Sequence, residues 1–407
     1  MPRWRAALTF LHRWSGLLLG LWFVLLGLTG SLMVWQAEID AALNPAWFAS
    51  RTSCRDSLPD APVARALAVL KQAAPGVLAT AVHAPDRPEA AYRLWSASPR
   101  PGFKRQHFVD AACMRYLGAR DWGAPRFDRA HTAPMLYELH RALLLGDAGH
   151  TAVGFAGLAL LVAAFTGLML AWPRRANRAA WRRVLTVKQA TSAQRRWHDW
   201  HRATGTWLAA FFVLMGASGA YLCFPKQARA IVGAVLPVLP VLPVLPVLSA
   251  LDALDADRAG PRADPDAAPE VSERLPPDVL VIRAQALWPR AKWSRLALPA
   301  THDKPFEVRL LQSGEPRADT GSTRVRMDAR GQVIAVRDAL HLPVGEALLD
   351  WLFPLHSGEA LGLLGRLAWT LFGLAPSLMF ATGAWLWWRR RGAVSSARRP
   401  AEAMRPQ

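Results

Sequence analysis

Charge is missing from four stretches of this chain. No Asp, Glu, Lys or Arg occurs in Trp14 to Ala37, Thr151 to Pro173, Ala203 to Pro225 or Leu367 to Trp388, runs of 24, 23, 23 and 22 residues. At about 1.5 Å rise per residue, each can cross a hydrocarbon core of about 30 Å. Buried helices of a large soluble protein are usually interrupted by a charge sooner, so the gaps predict four transmembrane helices. They also argue against a siderophore or iron permease, because ion pathways and proton relays place ionisable groups inside the membrane.

Acidic residues are scarce as well, 30 against 49 Lys and Arg, for a net charge of +19. An excess this large is one mark of nucleic-acid binding, but its placement gives a different answer. Arg3, Arg5 and Arg13 precede the first run. Arg174 to Arg202 carries nine basic residues against Asp199 alone. Arg389, Arg390 and Arg391 follow the last run. With four spans these flanks share one side, which is the positive-inside pattern. No nucleic-acid partner is expected. Both termini and the 174–200 loop are expected in the cytoplasm, with 38–135 and 226–345 outside it. The first run is too long for a signal-peptide core and no clean small-x-small site follows it, so it is expected to stay as a helix.

Cysteine is limited to three residues and no CxxC occurs, so a cysteine zinc site is not expected. Cys54 and Cys113 share the first outer segment, where either a disulfide or two free thiols would be stable. A P-loop, a GxGxxG after a strand, GxSxG and HExxH are all absent. No attached nucleotide or flavin domain and no hydrolase chemistry is therefore expected.

What the chain does have is internal repetition. Shifted by 189, the first run falls on the third: His12, Arg13, Gly16, Gly27 and Gly30 meet His201, Arg202, Gly205, Gly216 and Gly219. Shifted by 216, the second falls on the fourth: His140, Gly146, Gly149, Gly157, Gly167 and Trp172 meet His356, Gly362, Gly365, Gly373, Gly383 and Trp388. Chance pairing of apolar helices yields Leu and Ala matches, seldom His, Gly and Trp together without a gap. The outer segments also match, since VDAACMRYLGARD ends one and MDARGQVIAVRD the other. Helices are expected over 62–74 and 278–287. Strands are expected near 91–95, 106–110, 306–311 and 323–327. The chain is thus two copies of helix, outer domain, helix. Residues 226–276 fit neither copy. VLPVLPVLPVLPVLSA within them suits polyproline II, and the stretch is taken as a spacer.

Four of the 11 histidines sit at repeat-equivalent positions. His12 and His201 lie at the inner ends of the first and third runs, His140 and His356 just before the outer ends of the second and fourth. Imidazoles in twos at a membrane boundary suit a haem iron held by two axial nitrogens. Two such pairs predict two haems, held by His12 with His201 and by His140 with His356. The glycines either pack helices closely or leave room for a flat macrocycle. Arg13 and Arg202 either pair with haem propionates or anchor the inner face. His198, three residues before His201 and on nearly the same face, could replace it. His150 matches Arg366 across the repeat, so it is no axial ligand and could instead contact propionate or substrate. No catalytic residue is assigned.

LHRWSGLLLG, ELHRALLLGDAGH, HDWHRATGTW and PLHSGEALGLLGR resemble the PepSY-associated transmembrane family, and the outer segments resemble PepSY domains. That resemblance implies a bacterial inner-membrane protein, a four-helix α-helical bundle of two repeated halves with two small α+β PepSY-like extracytoplasmic domains. Some relatives are similar to di-haem reductases of ferric siderophores in the periplasm, and by resemblance His12, His140, His201 and His356 hold haem b. The expected function is electron transfer from a separate cytoplasmic flavin reductase or quinol to a ferric siderophore or small ferric chelate. The competing expectation is a haem-free membrane anchor whose outer domains bind a peptide or protease.

Overall fold

The computed structural model describes residues 3–48, 62–87, 90–100, 102–175, 177–189, 191–238, 275–299 and 304–402, the last eleven as backbone. Cys54, His302 and spacer residues 239–274 lie outside the described residues. Two compact units emerge. One joins Met1–Trp35, Leu136–Ala228 and Leu355–Gln407; the other joins Gln36–Met135 and Arg229–Pro354.

The first unit is helical. Gly146–Ala171 and Glu359–Arg391 are each long and apolar enough to cross a membrane. Arg3–Leu18 with Gly20–Met33, and Ala193–Trp207 with Ala209–Cys223, qualify only as bent pairs, at 58° and 59°. The chain is therefore a membrane protein with two to four spans, numbered here in chain order with each bent pair as one. The breaks fall at Leu19 and Leu208, which the 189-residue shift superposes. Neither holds proline. Ser15–Gly16 and Thr204–Gly205 precede them, hydroxyl–glycine pairs of the kind at which helices kink. Hydropathy does not register direction, so the runs alone gave no sign of the bends.

Glycine sets how these helices cross. A methyl at Gly27 would strike the Gly373 carbonyl, and one at Gly216 would lie 2.8 Å from the Gly157 carbonyl oxygen. The crossing of spans 1 and 4 thus repeats the crossing of spans 2 and 3, with Gly27 matching Gly216 and Gly157 matching Gly373. At the first, the Ser31 hydroxyl donates to the Thr370 carbonyl at 2.9 Å and the Trp35 indole donates to the Thr370 hydroxyl at 2.9 Å.

The second unit is a helix-covered sheet. Its strands are β1 (Ala79–His83), β2 (Ala91–Ala97), β3 (Lys104–Asp110), β4 (Tyr116–Trp122), β5 (Lys292–Ala297), β6 (Phe306–Leu311), β7 (Thr323–Met327) and β8 (Val333–Arg337). All pair antiparallel, in the order β4-β3-β2-β1-β5-β6-β7-β8. Each half is a helix followed by a four-stranded meander, and β1 pairs with β5 so that both halves share one sheet. Val82 and Leu296, opposite each other at that joint, are fully buried. Alternate residues of every strand face helices Pro62–Ala73 and Pro277–Leu287, where Val63, Ala66, Leu70, Leu280 and Ala284 complete the core.

The two halves are also linked at a helix end. Backbone N–H groups of Val63 and Ala64 donate to the two Asp278 carboxylate oxygens at 2.8 Å each, satisfying donors that the helix itself leaves unpaired. Asp278→Ala should therefore destabilise this unit by about 1.5–3 kcal/mol, the usual range for hydrogen bonds to a charged group. Chemical denaturation of the full chain, followed by proteolysis within 62–135, measures it; an unmoved midpoint would mean the cap contributes nothing.

On the opposite face of β3 and β4, helices Gln36–Leu43 and Pro45–Phe48 supply cover. Arg120 is bidentate to Asp40 at 2.7 and 2.5 Å and lies against the rings of Trp47, Phe108 and Trp122. Gly118, at φ +141°, lies under Trp47, where a Cβ would come within 3.3 Å of the indole nitrogen. Cys113 is disulfide-bonded and Cys223 is a free thiol. The start of the expected spacer is ordered: Pro225–Gly233 is helical, and Arg229 pairs with Glu346 at 2.6 Å.

Candidate functional site

Two histidine pairs form within the helical unit. His12, in Arg3–Leu18, has its ring centre 6.1 Å from that of His201 in Ala193–Trp207, with the planes 80° apart. His140, near the end of Thr132–Ala142, has its ring centre 6.2 Å from that of His356 at the end of Val344–Ser357, at 52°. The four repeat-equivalent histidines therefore stand as two close pairs of rings.

Each ring is held by a hydroxyl on another helix. Nδ1 of His12 lies 3.0 Å from the Ala163 carbonyl and 3.3 Å from Thr166 Oγ1. Nδ1 of His140 lies 3.0 Å from Thr29 Oγ1, Nδ1 of His201 lies 2.8 Å from Thr382 Oγ1, and Nδ1 of His356 lies 2.8 Å from Ser218 Oγ. The hydroxyl protons are already committed. Thr29, Thr166, Ser218 and Thr382 donate to the carbonyls of Leu25, Val162, Leu214 and Leu378, at 2.6–2.7 Å. A hydroxyl oxygen whose proton is used can only accept, and so can a carbonyl. Nδ1 is therefore the protonated nitrogen of each neutral ring, and Nε2 carries the lone pair. Among the described residues no hydrogen bond reaches Nε2 of any of the four.

The hydroxyls obey the same repeat, Thr29 matching Ser218 and Thr166 matching Thr382. Each is followed by glycine: Gly30, Gly167, Gly219 and Gly383. A Cβ at these glycines would lie 3.1 Å from His140 Cε1, 2.8 Å from His12 Cε1, 3.6 Å from His356 Cε1 and 3.3 Å from His201 Cε1. The hydroxyl thus fixes the tautomer, and the absent side chain beside it lets the ring approach. Sequence reasoning missed the four hydroxyls. Their signal was present: a Thr–Gly or Ser–Gly pair occurs in every apolar run, with Thr29–Gly30 matching Ser218–Gly219 and Thr166–Gly167 matching Thr382–Gly383.

Glycines follow each histidine at short, repeated spacings. An added Cβ would meet nothing within 4 Å at Gly16, four residues beyond His12, or at Gly146 and Gly362, six beyond His140 and His356. Gly205, the match of Gly16, has only the tip of Met379 at 3.2 Å.

The remaining expected site residues stand apart. His198 places Nδ1 3.7 Å from the fully buried Asp199 carboxylate, and its side chain is 45% exposed. Arg202 is engaged elsewhere, 3.0 Å from Asp199 and donating to the carbonyls of Val184 and Arg183. It ties helix Arg178–Leu185 to Ala193–Trp207. Arg13 is exposed, with its guanidinium over the Trp14 ring at 5.6 Å. His150 is half-buried with no partner among the described residues. His131 and His341 contact Asp128 and Asp338 three residues away, at 2.6 and 2.8 Å.

Among the described residues, no three His, Cys, Asp or Glu side chains converge as a metal-ion site. No curated protein matches the chain. The family model described as the PepSY-associated TM region matches residues 9–390, and the chain, with its paired apolar helices and repeated His segments, belongs to that family.

Proposed function

We propose that this chain is a di-haem b-type electron-transfer protein of the bacterial inner membrane, passing electrons from the cytoplasmic side to a periplasmic ferric siderophore or small ferric chelate. A flavin reductase or quinol is the donor. All four candidate spans cross the bilayer in this reading, with both termini and the basic 174–200 loop on the cytoplasmic side.

The observation that carries the proposal is the spacing and tautomer of the histidine pairs. A metal–imidazole bond is about 2 Å and a ring centre lies about 1 Å beyond the nitrogen, so two imidazoles that held one metal between them would have ring centres about 6 Å apart. The measured separations are 6.1 and 6.2 Å. Each Nε2 holds a free lone pair, and each Nδ1–H is donated away, the arrangement that orients a ligating imidazole and raises its basicity. Gly16, Gly146 and Gly362, where an added Cβ would meet nothing within 4 Å, leave the approach open for a flat macrocycle. Two protein ligands are too few for a bare ion and sufficient for iron that brings four nitrogens of its own.

His12 and His201 would hold one haem, and His140 and His356 the other. Haem, when bound, supplies reversible one-electron iron chemistry. The chain's part is to fix the ring orientations through Thr166, Thr382, Thr29 and Ser218, and to surround each pair with apolar helix that excludes water. His201 is favoured over His198 as the inner ligand, because His201 stands opposite His12 while His198 turns to Asp199. Arg202, held by Asp199 and two carbonyls, acts as an anchor of the 178–185 helix.

The test is a reduced-minus-oxidised visible spectrum of detergent-purified protein, with haem quantified per chain. About two haems of b type per chain are expected. None after expression with ample haem supply would overturn the proposal and turn attention to the sheet unit as a binding module.

A further inference from the structure

One face of the sheet carries a row of arginines. Arg295 on β5 lies directly opposite Arg309 on β6, Arg309 opposite Arg324 on β7, and Arg324 opposite Arg337 on β8. The row continues through His83 on β1, opposite Arg295, to Arg93 on β2. Strand residues alternate between faces. Leu296, Val308, Leu310, Val325 and Val336 face the helices, so the arginines occupy the other side.

Like charges placed directly opposite on a sheet destabilise it. Here the repulsion is only partly offset. Glu307 pairs with Arg309 at 3.4 Å and Arg326 at 3.0 Å; Asp350 and Glu346 take Arg337 at 2.9 and 3.4 Å. Asp86 holds Arg93 at 2.9 Å, and Asp319 holds Arg317 at 3.4 Å. Arg295 and Arg324 make no hydrogen bond or close ion pair among the described residues; Glu307 acts on both, and Asp350 on Arg324, only at longer range, and the Nε of each is buried and unpaired. Both side chains are half-buried, so bulk water does not fully replace a directly bonded acid. The crowding reaches their neighbour: burial together with Arg93, Arg295 and Arg309 pushes the His83 imidazole down to about 3.

We infer that this arginine row is a binding site for a small oxyanion carrying several negative charges, a polycarboxylate or its ferric complex, seated against Arg295 and Arg324. Guanidinium groups pair with carboxylates in planar, bidentate fashion. Three strand spacings of about 4.8 Å set Arg295 about 14 Å from Arg337, a span for a multidentate ligand and too long for a single carboxylate. The site deepens the proposed function by giving the ferric acceptor a charge class, and rests on that reading only for the iron. Anion binding itself needs no haem.

The test is calorimetric titration of the full chain, in neutral detergent at low salt, with citrate and separately with ferric citrate. Haem content is measured on the same sample, so failure of binding and failure of haem loading are seen apart. Citrate should bind more tightly than chloride at matched ionic strength. Arg295→Gln/Arg324→Gln should weaken citrate by about tenfold or more, the scale of losing one charged hydrogen bond. Removing two cations that each lie opposite Arg309 should leave the thermal midpoint level or higher. As a second variant, Glu307→Gln frees Arg309 and Arg326 and should tighten citrate. Citrate binding unchanged in both variants, no binding by the wild type, or a response confined to nanodiscs of phosphatidylglycerol would each overturn the inference.

Discussion

His140→Ala is expected to leave about one haem per chain against about two in the wild type, and His12→Ala to do the same at the other pair. The separation of the pairs along the chain and their independent hydroxyl partners make the two losses independent. The hydroxyls give a sharper comparison. Thr29→Val removes the acceptor of the His140 Nδ1 proton while keeping the side-chain shape, so the ring is free to turn or change tautomer. Substitutions of this kind typically cost about 10–100-fold in metal affinity or activity. Haem should therefore be retained at saturating supply but lost faster to a haem-scavenging protein, and its reduction potential should move. Unchanged off-rate and potential in Thr29→Val and Ser218→Ala together would show that the hydroxyl contacts do not control the ligands.

Gly157→Val is expected to prevent assembly of the helical unit. An added Cβ already meets Ala220 N and the Gly216 carbonyl at 3.0 Å, both backbone atoms that cannot rotate away. Overpacking ordinarily costs about 1–3 kcal/mol, with the larger values where nothing can shift. Small residues are what let helices approach in a membrane, where no hydrophobic drive brings them together. Size-exclusion chromatography in mild detergent should show aggregation or loss of the monodisperse peak. Leu158→Val, one residue along and on an exposed face, should behave as wild type. A monodisperse Gly157→Val protein with the wild-type melting profile would mean that the close crossing of spans 2 and 3 is not required.

These two predictions rest on features of unequal visibility in the sequence. The charge-free runs coincide with the two helices and two bent helix pairs apolar enough to cross a membrane, and the two repeat shifts aligned four histidines, because lipid excludes charge and duplication preserves spacing. The hydroxyl partners were overlooked because Thr and Ser in an apolar run read as neutral; their meaning lies in which ring they face on another helix. Helices 62–73 and 277–287 and four of the strands followed from local pattern. Strands β1, β4, β5 and β8 did not; β1 and β5 each pair with a hairpin neighbour and with one another, and that second pairing joins residues more than 200 positions apart. The Asp278 cap escaped for the same reason. Arg202 was placed between propionate pairing and anchoring the inner face; its contacts with buried Asp199 and with the Val184 and Arg183 carbonyls were not legible in the sequence. The arginine row was hidden because it exists only in the cross-strand register, one residue per strand.

The joint between β1 and β5 has a consequence for how the protein is made. β1 leaves the ribosome early, whereas its partner is translated only after spans 2 and 3 and the proline-rich segment. Until then β1 is an open edge, with Ala81 and Val82 lacking the cover that β5 provides, and such edges invite pairing with other chains. Long-range strand pairing is slow even when both partners are present. The first half of this sheet should thus need a chaperone, or some other guard of its edge, during biogenesis, and a ribosome stalled before residue 292 should yield a product sensitive to protease at β1.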